Sequence, residues 1–243
     1  MIVLIITAVR IKSMDSHRIS GRILAENIAG PGMMRLVEQS MQAQAQKTSV
    51  TEIAVKEWKH PQAALTFDDG PDIRYTPLLL DGLKERNVRV SFFLLGEKVE
   101  QYPELVERMQ KEGHLVGNHT YHHVQLNKLN ETKAREEILK TNNLIYETTG
   151  VYPLYLRPPF GAWKKNLELC VEMLPVFWTI DTLDWKVQNT EKIVRTVQEQ
   201  IEDGAIILMH DEYDTSVEAA LQVVDELKNQ EYELVTVDQL ILP

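Results

Sequence analysis

The chain has 243 residues, is 44% hydrophobic and 26% charged, and carries a formal net charge of −10. That length accommodates one large domain, or one domain plus an extension, with enough apolar content for a packed core. Residues 1–57 hold seven Lys/Arg against five Asp/Glu, so the acidic excess lies in the remainder and argues against a nucleic-acid surface. The single cysteine, Cys170, excludes an intramolecular disulfide and says little about the compartment.

The first nine residues, MIVLIITAV, are apolar except for Thr7, and Arg10 and Lys12 follow. A spanning helix needs about 20 apolar residues, and the leading positive charge of a signal peptide is missing. Two readings stand open. One is a short strand or a buried helix turn. The other is the tail of a membrane anchor whose beginning precedes Met1, with the two cations flanking its exit. Residues 13–57 are polar and mixed, with Gly30-Pro31-Gly32 as a breaker and one thin-faced candidate helix, MMRLVEQSMQAQAQK. Residues 1–57 therefore read as an N-terminal extension or stalk, not a domain.

From Trp58 the character changes. Short apolar runs alternate with amphipathic stretches: AALTF, TPLLLDGLKER, VSFFLLG, YPELVERMQKEG, HLVGN, then TKAREEILKTNNLIYETTG. The alternation continues through LYLRPP, KKNLELCVEML, VFWTID, TEKIVRTVQEQIEDG, AIILMH, VEAALQVVDELKNQ and ELVTV. Strand followed by helix, about seven times, predicts an α/β domain over 58–243 with a parallel sheet and outer helices, open or closed as a barrel. Asn130 is placed to open the helix ahead of Gly150, which is placed to close it, and Gly113 and Gly204 close helices before strands.

Polar residues collect where the strands end, which is where βα folds place their chemistry. Asp68 and Asp69 follow AALTF; His119, His122 and His123 follow HLVGN; Arg157 to Gly161 follow LYL. Asp181, Asp184 and Trp185 follow VFWTI, and His210 and Asp211 follow AIILM. Taken together they read as one active site. His119 and His123 are four apart, which on a helical turn aims both imidazoles the same way and suits two ligands of one metal ion. His122 competes for the same role. A lone H-x-x-x-H is weak, and it gains weight only from the acidic pair and His210 at other strand tips. One of Asp68 and Asp69 then serves as the third ligand and the other as a general base, since neighbours leave a strand on opposite sides. The bland alternative is a turn or helix cap. His210 suits a general acid, Asp184 a carboxylate that orients it, and Arg157 a cation that fixes a carboxylate. Trp185 and Leu208 suit apolar walls, although Leu208 equally suits an ordinary core position.

The ordered set TFDDG (66–70), HTYHH (119–123), RPPFG (157–161), DTLDW (181–185) and LMH (208–210) resembles the polysaccharide deacetylases of carbohydrate esterase family 4, over the chain from Trp58 onward. The resemblance implies a distorted (β/α)7-type barrel of parallel strands and a divalent metal, zinc first, with Co2+ or Ni2+ as substitutes. It implies removal of N-acetyl groups from acetylglucosamine-containing polysaccharide, with peptidoglycan as first choice, and chitin oligosaccharide or acetylxylan O-deacetylation as alternatives. It assigns Asp69, His119 and His123 as metal ligands and leaves His122 as a non-ligand. It makes Asp68 the base, Arg157 the residue that orients it, His210 the acid and Asp184 the carboxylate that tunes it. The Phe160 backbone amide matches the oxyanion contact, and Trp185 and Leu208 match acetyl-pocket walls. Many members carry Tyr where Phe160 stands; a backbone donor tolerates that change. An extracellular or cell-surface location, membrane-anchored if the N-terminal run is an anchor, follows from that substrate. A reading from another class is a glycan-binding module with a dead site.

Overall fold

The structure is a computed structural model, and it describes residues 60–163 and 173–241. The expected extension at 1–57, its anchor or strand, and most of the helix expected in KKNLELCVEML lie outside the described residues.

The first strand, β1 (Gln62–Asp68), is buried along its whole length. Its side chains divide with the period of two that a strand imposes. Ala63, Leu65 and Phe67 join the large cluster beneath the helices, whereas Ala64 belongs to a small inner cluster with Phe93, Tyr155 and Val176. The inner face therefore continues through Thr66 to Asp68 at the strand's end. β2 (Ser91–Leu94) and β7 (Ala205–His210) lie parallel to β1, in registers that pair Asp68 with Phe93 and with His210. The sheet runs β5-β4-β3-β2-β1-β7-β6, with β3 spanning Leu115–Asn118, β4 Tyr155–Leu156, β5 Leu174–Pro175 and β6 Ile180–Asp181, and β8 (Glu233–Leu234) pairing the start of β1. All pairings are parallel. Every strand's C-terminal end thus faces the same rim.

The helices are α1 (Thr76–Glu85), α2 (Gly96–Gln101), α3 (Pro103–Lys111), α4 (Glu131–Thr149), α5 (Asp184–Val187), α6 (Thr190–Gln200), α7 (Asp214–Asn229) and α8 (Val237–Ile241). Local chemistry sets their ends. The Asn130 side chain accepts from Lys133 N–H, and Gly150 closes α4 with φ 71, where glycine carries no Cβ penalty. Leu79, Leu80 and Leu83 of α1 and Val223, Val224 and Leu227 of α7 enter the large cluster. Fully burying side chains of this size stabilises by about 1.5–3 kcal/mol each.

One stretch departs from the expected alternation. VFWTID was read as a single strand, yet the chain forms β5 (Leu174–Pro175), an irregular 176–179, and then β6 (Ile180–Asp181). β5 pairs β4 (Tyr155–Leu156) and β6 pairs β7, so these two sequence neighbours end opposite edges of the sheet. Among the described residues no ladder joins them, and the barrel stays open there. His210 ends the seventh strand.

His114 sits between α3 and β3, 4% exposed, its ring edge-to-face with Phe92 at 5.4 Å. Its Nδ1 accepts the Val90 N–H at 3.1 Å, which requires the unprotonated nitrogen. Burial holds its pKa down at about 4 against an ordinary 6.5. The folded-state value is the lower one, so this stability is complete above pH 6.5 and is lost as pH falls towards 4. Between pH 7 and 4.5 the wild type should lose about 2 kcal/mol more stability than His114→Gln, by urea unfolding at both pH values. Equal losses would show that His114 does not titrate this way.

Candidate active site

β1 delivers Asp68 to the rim with its side chain on the inner face. The residue is 3% exposed, and its Oδ1 accepts from Arg157 Nη1 at 2.8 Å. Arg157 leaves the end of β4 and is itself fully buried. The same Nη1 donates to Thr66 Oγ1 at 2.6 Å, and the guanidinium lies over the Phe93 ring at 4.3 Å. Burial pushes the Asp68 carboxyl up, and the charges of Arg157 and His210 pull it back. A carboxylate in this balance is a competent base.

Asp69 was expected to leave on the opposite side of the strand from Asp68. It does not. Its φ of 68 places it in the left-handed region, which turns the side chain back towards the rim. Asp69 Oδ1 lies 3.4 Å from His119 Nε2, and Asp68 Oδ2 lies 3.7 Å from that nitrogen, so both carboxylates converge. Neither caps a helix. The capping type of contact falls to Asp72, whose Oδ1 accepts from the Arg74 and Tyr75 N–H groups at 2.8 and 2.9 Å.

The histidine pair meets as expected, by a different route. Residues 119–123 are not helical: Thr120 and His123 have φ of 67 and 54, and the loop bends instead of winding. His123 Nε2 nevertheless reaches 3.4 Å from Asp69 Oδ1. His119 Nδ1 lies 2.6 Å from the Arg157 carbonyl, and since a carbonyl only accepts, Nδ1 carries the proton and Nε2 the lone pair. Burial pushes the His119 pKa down to about 3, keeping the ring neutral. His122 turns away, 2.7 Å from Glu137, and stays out of the cluster.

Asp69, His119 and His123 offer one ligand atom each, all within 4.8 Å of one another. The buried Asp69 Oδ1 has no hydrogen-bond partner among the described residues. A neutral imidazole oriented by a backbone carbonyl, a second imidazole and an unsatisfied carboxylate oxygen fit a divalent cation. The three residues are thus a site able to hold a metal ion, and their chemistry alone does not select which.

His210 ends β7 beside them, its Nε2 3.8 Å from Asp69 Oδ2. Its Nδ1 and backbone N–H both reach Asp184, at 2.7 Å each. Burial opposes charge on the imidazole, but the Asp184 hydrogen bond and charge outweigh it and raise the pKa to about 9. Asp184 is fully buried at the start of α5 and also accepts from Trp185 N–H at 2.9 Å. Around this centre Phe160 is 62% exposed with φ 59, its ring 4.5 Å from the His123 ring. Trp185 is 49% exposed, and Leu208 is buried next to Thr66 in the sheet register.

Several residues of the site escaped sequence reading. Thr66 accepts from Arg157 and donates to the Ile207 carbonyl at 2.7 Å, yet in sequence it is one more β-branched strand residue. Asn118 accepts from Thr120 N–H at 2.7 Å; a polar residue closing a buried strand was a usable signal. Asp211, which the sequence pattern already sets at the rim, is fully buried against Thr76 and Gly70, and burial pushes its pKa up to about 7.

Residues 56–176 match the family model described as polysaccharide deacetylase. A peptidoglycan-N-acetylglucosamine deacetylase of Listeria monocytogenes, PgdA, is 42% identical over 177 residues, covering 73% of this chain and 38% of that protein. A peptidoglycan-N-acetylglucosamine deacetylase of Bacillus cereus is 39% identical over 186 residues, covering 74% of this chain and 68% of the relative. PdaC of Bacillus subtilis, named a peptidoglycan-N-acetylmuramic acid deacetylase, is 42% identical over 177 residues, again covering 73% of this chain and 38% of that protein. Its solved structure superposes with a TM-score of 0.73, covering 75% of this chain and 91% of the solved one. The chain thus spans well under half the length of the Listeria relative.

Removing Arg157 strands a buried carboxylate. Arg157→Met should destabilise the metal-free protein by about 3–5 kcal/mol at pH 7, and Arg157→Met with Asp68→Asn should recover most of it, in urea unfolding. A double variant no more stable than the single would show that packing of the arginine, not its charge, is what counts.

Proposed function

This chain belongs to the polysaccharide deacetylase family, and we propose that residues 58–243 form a metal-dependent hydrolase that removes N-acetyl groups from acetylglucosamine units of peptidoglycan. The observation that carries this reading is the convergence of Asp69, His119 and His123 between a carboxylate held by arginine and a histidine held by aspartate. Asp69, His119 and His123 would hold the ion, zinc in our reading, with Co2+ or Ni2+ as substitutes. When bound, a divalent ion supplies Lewis acidity for the acetyl carbonyl and eases deprotonation of water.

Asp68, aligned by Arg157, takes a proton from the attacking water as its oxygen bonds to the acetyl carbon. The Phe160 backbone N–H is the donor for the negative charge that develops on the carbonyl oxygen. His210, kept protonated by Asp184, gives its Nε2 proton to the sugar nitrogen as the C–N bond breaks. Acetate and a free amine are the products. Trp185 and Leu208 wall the acetyl group, and the exposed faces of Trp185 and Phe160 suit a sugar ring. This substrate calls for an enzyme at or outside the cell surface, with residues 1–57 as an extension whose apolar start would be the tail of a membrane anchor. No described helix is long and apolar enough to cross a membrane.

Equal identity to the Listeria and Bacillus subtilis relatives, which are named for different sugars, supports a second reading in which N-acetylmuramic acid is the residue deacetylated.

Acetate release should be detected on peptidoglycan, and mass spectra of the digested product identify the sugar that lost its acetyl group. Preference for chitin oligomers or acetylxylan would move the substrate, and no release under any metal would favour a glycan-binding module. Asp68→Asn should lower turnover by about 100- to 10,000-fold with metal content unchanged, whereas Asp69→Ala should lose the metal. The reverse pattern would exchange their roles.

A further inference from the structure

Glu137 lies inside α4, fifteen residues beyond His122, and belongs to no motif read from the sequence. Its carboxylate meets the 119–123 loop with three contacts. Oε2 accepts the Tyr121 N–H at 3.0 Å and the His122 N–H at 2.9 Å, and Oε1 accepts from His122 Nδ1 at 2.7 Å. One oxygen thus gathers two consecutive backbone donors, which an extended or helical segment does not present to one side. The loop presents them because left-handed residues, Thr120 and His123, bracket them.

The remaining polar groups of the loop are held from other directions. Asn118 Oδ1 takes the Thr120 N–H, while the first N–H groups of α2 donate to the Thr120 and Tyr121 carbonyls at 3.0 and 3.3 Å. The Tyr121 hydroxyl bonds Glu100, and Lys140, one turn beyond Glu137, sits over the Tyr121 ring. Of these anchors, only Glu137 takes the backbone N–H groups at the centre of the loop from another element. A left-handed non-glycine residue costs on the order of 1–3 kcal/mol, so a loop with two of them relaxes unless its neighbours hold it. Relaxation would move His123, which closes the loop, away from Asp69.

We propose that Glu137 is a positioning residue for the metal ligands: it holds the 119–123 loop in the bent form that aims His119 and His123 at Asp69, and it keeps the His122 imidazole out of the ligand set. This rests on reading Asp69, His119 and His123 as the metal site.

The test measures metal binding, not turnover. The full chain is stripped with chelator and titrated with Co2+, followed by its visible ligand-field absorption, and with Zn2+ against a chromophoric competitor. Glu137→Ala should raise the dissociation constant about 10- to 100-fold, and isosteric Glu137→Gln, which keeps an oxygen for the backbone donors, should raise it less. His122→Ala leaves both backbone bonds and should stay within about threefold of wild type. Thermal unfolding of the metal-free variants separates positioning from simple folding support, which would lower the melting midpoint while leaving the folded fraction's affinity unchanged. Wild-type affinity in both Glu137 variants would overturn the proposal alone, as would a His122→Ala loss equal to that of Glu137→Ala. A wild-type chain that bound neither ion would overturn it together with the metal site.

Discussion

The buried ion pair between Arg157 and Asp68 ties the rim together. Two charges out of water cost several kcal/mol each unless both are fully satisfied. Here the guanidinium bonds Asp68 and Thr66 from β4 while lying on Phe93, and Thr66 passes the connection to β7 through the Ile207 carbonyl. The backbone of the same arginine orients His119. One residue therefore sets a carboxylate with its side chain and an imidazole tautomer with its carbonyl. The charge pattern follows from this. Arg157 answers Asp68, His210 answers Asp184, and Asp69 faces His119 and His123 with an oxygen that no donor reaches among the described residues. That oxygen lies where the Nε2 atoms of His119 and His123 converge, each 3.4 Å away.

Backbone strain is concentrated at the same rim. Asp69, Thr120, His123, Phe160 and Leu183 all have positive φ without being glycine. Each such residue costs on the order of 1–3 kcal/mol and persists only where its surroundings over-determine it. Those surroundings are visible: Asn118 holds Thr120, Asp181 Oδ1 holds Leu183 N–H at 3.0 Å, and the short 3-10 turn Pro159–Gly161 contains Phe160. The scaffold beneath is regular and apolar, with Leu65 and Phe67 of β1, Phe92 and Leu94 of β2, and Ile207 and Met209 of β7 in one cluster. Stability accumulated in that core sustains the irregular loops.

Much of this was legible in sequence, and the limits have physical causes. The alternation of apolar runs and amphipathic stretches located β1, β2, β3, β7 and the long helices, because those elements are long enough to express a period. β4, β5 and β6 are two residues each, too short for any period, and VFWTID was read as one strand for that reason. The acidic and histidine residues read at strand ends do meet at one rim, because the parallel sheet brings those ends to the same side. Their mutual orientation was misjudged. Strand alternation and helical i, i+4 spacing both assume negative φ, and Asp69, Thr120 and His123 depart from it. Supporting residues such as Thr66 had no signal at all, because their partners lie on other elements.

Acid and base in the proposed reaction are separated by environment, not by residue type alone. Asp68 is buried, which raises its pKa, and the guanidinium beside it opposes that rise. His210 is also buried, which by itself would strip its proton, yet the fully buried Asp184 reverses that and raises the imidazole to about 9. Paired groups pushed towards complementary protonation states are how one site runs both proton transfers near neutrality. Each needs its own fixed counter-charge. A single carboxylate shared between Arg157 and His210 would leave one of them unmatched, and the separation of Asp68 on β1 from Asp184 on α5 prevents that sharing.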